Sequence, residues 1–179
     1  MKRFTKLLLL FTLVGIMTGG CELLTNSVKF NEDYSVTFTI NPQEDLTHQF
    51  IEQNIPSNIQ QILDDNGLNT DKLKSATLVE VRAEIETGSA EINFDKVVDG
   101  EIHLKYGTKV IKAAWWNTST GLGKTVAKLD HTSENLKDLI LASSFSAGGW
   151  IQLNASTPGT SYVTVYLVFE LDGKLLGKV

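Results

Sequence analysis

The chain has 179 residues and carries 21 acidic against 16 basic side chains, a formal net charge of −5. An acidic balance without a dense basic run argues against nucleic acid as a partner, because phosphate backbones are held by clustered Lys and Arg. A single cysteine excludes an intrachain disulfide, and a chain of this length buries a one-domain core without such a staple.

Lys2, Arg3 and Lys6 open the chain with no acid beside them, and an apolar run follows from Leu7 to Met17, 11 residues long. A membrane-crossing helix needs about 20 apolar residues, so the run is too short to be a permanent anchor. It closes on Thr18-Gly19-Gly20-Cys21. A basic start, a short apolar stretch and small residues before a cut site predict a secretory signal over residues 1–20.

Thr18-Gly19-Gly20-Cys21 resembles the lipobox of bacterial lipoproteins, with Thr18 where that family more often carries Leu. The resemblance implies cleavage between Gly20 and Cys21, a diacylglyceryl group on the Cys21 thiol, and acylation of the new amino terminus. Each buried acyl methylene contributes about 0.8 kcal/mol, so several chains make a firm tether where one holds weakly. By the same resemblance, Glu22 in place of an Asp after the cysteine favours the outer over the inner membrane. Removing residues 1–20 takes away three positive charges and no negative one, leaving a net charge of −8 on the remainder.

Residues 21–33 are polar and mixed, and read as the lipidated N-terminus, a short tether and an edge strand. From residue 34 period-two alternation dominates. Val36, Phe38 and Ile40 alternate with polar neighbours, as do Val79, Val81, Ala83 and Ile85, then Ile102, Leu104 and Tyr106, then Ile151, Leu153 and Ala155, then Val163 to Leu171. Such alternation predicts strands with one face in the core and one in water. Further strands are expected at 110–116 and 124–130. Turn residues punctuate them at Thr87-Gly88-Ser89, Val98-Asp99-Gly100, Tyr106-Gly107-Thr108, Gly121-Leu122-Gly123, Ala147-Gly148-Gly149 and Thr157-Pro158-Gly159-Thr160. Two short helices are predicted. One spans Ser57 to Asp65, with Ser57 as N-cap and Gly67 as stop; the other spans Ser133 to Ala142, capped by Thr132 or Ser133. The fold expected is mainly all-β: a single antiparallel β-sandwich over residues 34–179, with about seven or eight strands and the two helices.

Motifs for chemistry are sparse. Thr118-Ser119-Thr120-Gly121-Leu122-Gly123-Lys124-Thr125 ends like a phosphate-binding loop, but Thr118 replaces the first Gly and no parallel sheet is in prospect, so it reads as a hairpin turn. Asp64, Asp65, Asn69 and Asp71 are hard oxygen ligands of the type Ca²⁺ takes, yet their spacing fits a helix stop and turn better than a calcium loop. His48, His103 and His131 are scattered, no Gly-x-Ser-x-Gly elbow exists, and the only cysteine is the lipidation candidate. No metal or cofactor is expected.

Aromatic residues give the remaining signal. In a regular strand, adjacent Trp115 and Trp116 face opposite ways. Lys112 belongs in water, which puts Trp116 outward with it and Trp115 in the core. The same parity turns Trp150, Tyr162 and Tyr166 outward. Trp116, Trp150, Tyr162 and Tyr166 are therefore a candidate binding surface, since aromatics with a polar rim mark such surfaces. The function expected is that of a membrane-anchored lipoprotein of the bacterial cell envelope, with a non-catalytic binding or scaffolding domain facing an envelope protein or a glycan. The competing readings are a glycan-binding accessory module, an envelope hydrolase without a recognisable motif, and a carrier of an apolar ligand.

Overall fold

A computed structural model describes residues 27–42, 44–86, 93–116 and 125–174. Eight strands and two short helices follow one another: β1 (Ser27–Ile40), β2 (Thr47–Pro56), α1 (Ile59–Asp65), β3 (Leu73–Ile85), β4 (Val97–Tyr106), β5 (Lys109–Trp115), β6 (Val126–His131), α2 (Lys137–Leu141), β7 (Ser144–Leu153) and β8 (Ser161–Lys174). Every strand pairing is antiparallel. Instead of two separate sheets, the strands make one continuous sheet in the order β1-β8-β3-β6-β5-β4-β7-β2. It curls so that the two ends, β1 and β2, approach each other.

Alternation explains most of the core. Phe38 and Ile40 of β1, Ile102 and Leu104 of β4, Ile151 and Leu153 of β7, and Val163, Val165, Leu167, Phe169 and Leu171 of β8 all point inward and are buried. The concave side is filled by aromatic contacts as well. Tyr34 meets Phe145 edge-on at 5.3 Å, and Phe38 stacks on Phe50 at 4.5 Å.

β-bulges change the parity at five places among the described residues, because one unpaired residue turns every later side chain to the other face. In β3 the register slips between Leu78 and Glu80, so Val79 is the extra residue and stands 40% exposed instead of joining Val81 and Ala83 in the core. In β4 the slip between Val97 and Asp99 lets the strand run through Val98-Asp99-Gly100, where a turn is expected. Ala147-Gly148-Gly149, also expected as a turn, lies inside β7. Strand β2 escapes sequence alternation altogether. His48 and Phe50 are buried, then a slip between Phe50 and Gln53 shifts the buried position to Ile55.

Both helices sit together, and α2 packs against β3 and β7. Ile59 and Leu63 of α1 are buried, as are Leu139 and Ile140 of α2 with Leu136 just before it. Gly67 ends α1 as expected: its φ of 68° suits the left-handed turn, and the next amide, Leu68, donates to the Leu63 carbonyl at 2.8 Å. Ser57 is not the N-cap; that place belongs to Asn58. The Ser57 hydroxyl instead donates to the Ile140 carbonyl at 2.7 Å and ties α1 to α2. Helix α2 also begins later than Thr132 or Ser133 would set it. Asn135 Oδ1 accepts from Ala76 of β3 and from Lys137, and the Leu136 amide donates to the Ala76 carbonyl, so the segment before Lys137 is committed to the sheet. No helix among the described residues is long and apolar enough to cross a membrane.

Candidate binding surface

The two tryptophans at 115 and 116 are reversed relative to strand parity. Trp116 is buried at 5% exposure, and Trp115 is half-exposed. The cause lies in the β4–β5 register, where Ile102 pairs with Ala114 but His103 pairs with Lys112. Ala113 is thus the extra residue. Ala113 and Ala114 both pack into the core, and everything after them changes face. Trp116 is seated on Gly100: a Cβ built there would come within 2.8 Å of its ring, and the Trp116 amide donates to the Gly100 carbonyl at 2.9 Å. Phe94 lies 6.2 Å away across the ring. Gly100 is therefore where the strand makes room for an indole, and Trp116 leaves the candidate binding surface.

Trp115 takes its place. Glu101 of β4 pairs with Trp115 on one side and with Trp150 of β7 on the other, so the two half-exposed indoles flank one carboxylate on the outer face. Directly opposed antiparallel residues are about 5 Å apart, which sets the two tryptophans roughly 10 Å from each other. Asp130 of β6 and Gln49 of β2 extend the same row outward. The Lys112 ammonium lies 5.3 Å from the Trp115 ring centre and is ion-paired with Glu101 Oε1. His103 Nε2 lies 2.9 Å from Glu101 Oε2. A carboxylate only accepts, so Nε2 donates this hydrogen bond. The Lys112 hydrogen bond, then that of His103, holds the Glu101 carboxyl below the usual carboxylate range.

Beside this row the outer face dips into a cleft of about 240 Å³, lined by His103, Lys105, Val110, Glu52, Gly148 and Gly149 with Phe50 at its base. The cleft exists because Gly148, opposite His103, has no side chain to fill it. Gly149 is required by closer contact. It has a φ of 152°, and a Cβ there would sit 2.0 Å from the Glu101 carbonyl oxygen. Lys105 and Glu52 form an ion pair at 3.3 Å across the cleft.

The tyrosines lie elsewhere. Tyr162 is 43% exposed, and Tyr166 is half-exposed with the Arg82 guanidinium 4.7 Å over its ring. Both are on β8, which is separated from β5 by two strands and from β7 by four in the sheet order. The four aromatics chosen by parity do not form one patch. The calcium candidates do not converge either. Asn69 Oδ1 accepts from the Lys72 amide, Asp64 accepts from Gln60, and no group of three or more His, Cys, Asp or Glu side chains suited to a metal occurs among the described residues. Cys21, Gly20 and residues 118–124 of the phosphate-loop-like stretch lie outside the described residues.

No protein-family profile matches the chain, and no curated protein matches it. Among solved structures it is similar to that of Turnip Yellow Mosaic Virus at 100 K, with 13% identity, 84% of this chain and 98% of that chain covered, and a TM-score of 0.27. It is also similar to that of Desmodium yellow mottle tymovirus, with 15% identity, coverage of 92% and 95%, and a TM-score of 0.23. Likenesses this distant carry no argument about the surface.

Proposed function

We propose that the chain is a lipid-anchored bacterial envelope protein whose β domain binds a ligand without transforming it. In this reading the two halves of the curled sheet act as the layers of a sandwich. The observation that carries the binding role is the pair of half-exposed tryptophans on either side of Glu101. Large amphipathic rings left partly in water, next to organised polar groups, are what recognition surfaces use.

The geometry favours binding over catalysis. Glu101 and His103 resemble an acid–base pair, but a general acid needs a raised pKa, and that of Glu101 is lowered. Both its oxygens are already engaged by Lys112 and His103. An apolar-ligand carrier would need space between the halves of the sheet, where Phe38, Phe145 and Phe169 are fully buried.

The anchor rests on Thr18-Gly19-Gly20-Cys21 and is tested directly. Cells given a clickable fatty acid should label the wild-type chain and leave Cys21→Ser unlabelled. The variant should also leave the membrane fraction. Labelling that persists in Cys21→Ser overturns the anchored reading.

A further inference from the structure

We infer that the Trp115–Glu101–Trp150 face takes a neutral pyranose oligosaccharide, laid across the strands with one ring or substituent in the cleft floored by Gly148. This deepens the binding role proposed above and rests on it. Three features of the surface select that chemistry. First, a pyranose ring has an apolar C–H face edged by hydroxyls. It matches an indole set beside polar groups, and two indoles roughly 10 Å apart support successive parts of a chain. Second, the charges here are paired with one another: Glu101 with Lys112 and His103, and Lys105 with Glu52. A charged ligand would have to break these pairs, whereas hydroxyls can share their remaining donors and acceptors, including Nδ1 of His103. Third, the cleft of about 240 Å³ is small beside the roughly 300–1,000 Å³ of pockets that swallow a whole ligand. It suits one ring or substituent, with the rest of the chain lying over the tryptophans.

Gly148 provides a variant that fills the cleft and leaves the tryptophans in place. The three atoms nearest a Cβ there all belong to Glu52, at 3.6 Å or more, which is ordinary contact. The full chain in detergent would be titrated with hexasaccharides of cellulose, starch and chitin type, and with heparin as the polyanion, reading tryptophan fluorescence and heat. At least one neutral hexasaccharide should bind saturably and heparin should not. Trp115→Ala and Trp150→Ala should each weaken binding about three- to tenfold, the range for one aromatic contact. Gly148→Val should weaken it with an unchanged melting temperature. Failure of all three neutral sugars to bind, or binding that none of the variants alters, overturns the inference. Photo-crosslinking in cells from position 152, exposed two residues along β7 from Trp150, separates the two levels. A protein adduct with no sugar binding removes the saccharide and leaves the surface as a binding face, while no adduct and no sugar binding removes both.

Discussion

Trp115 and Trp116 show how much one inserted residue decides. Adjacent in sequence and chemically identical, they differ because Ala113 is a bulge and moves Trp116 onto Gly100 and Phe94. Their substitutions should separate cleanly in urea unfolding. Trp116→Ala empties a filled core site and should cost about 3–5 kcal/mol. Trp115→Ala removes a half-exposed ring and should cost less than about 1 kcal/mol. Equal losses would mean that the bulge is misplaced. The residue types were legible in advance and so was the strand; the face was not. A bulge leaves no mark in the Val110 to Trp116 run, because two small alanines pack as readily inward as outward.

Strand β2 carries the corresponding lesson for an element. Its sequence, Thr47 to Pro56, is rich in Gln, Glu and Asn, and its two inward stretches are out of phase across the bulge after Phe50. Neither stretch is long enough to announce a strand, and pairing with β7 creates it. One consequence is measurable. His48 is buried at 3% exposure with no partner for Nε2 among the described residues, and burial lowers its pKa below the ordinary value of about 6.5, against a smaller opposing pull from Asp45. The folded state therefore holds His48 neutral, while the unfolded chain protonates it at the ordinary value. Its contribution to stability is complete above that value and is lost progressively as pH falls from it toward the lowered folded value. Between pH 7.5 and 5.5 the urea midpoint of the wild type should fall more than that of His48→Leu. Parallel curves would show that β2 accommodates the charged ring.

For the whole molecule, the weak point of the sheet is the junction of β5 with β6. It is held by two register pairs, Ala114 with His131 and Trp115 with Asp130, whereas β3 and β8 share eleven. Local opening follows the density of such ties. Amides of β6 should therefore exchange with deuterium at least about tenfold faster than those at the centre of β8. Comparable protection would mean that the two halves open only together. This junction also makes the sheet continuous, where alternation led to the expectation of a sandwich. Period-two patterning reports which face of each strand is apolar, and together with the helical spacing at 57–65 and 133–142 it determined a β domain with two short helices and most of its core. It is silent on which strand lies beside which. Only the tertiary structure decided that order, and with it the separation of Tyr162 and Tyr166 from the tryptophans and the meeting of Trp115, Glu101 and Trp150. The physical reason is that sheet order and bulges are set by long-range hydrogen bonding and packing, which no local run of residues encodes.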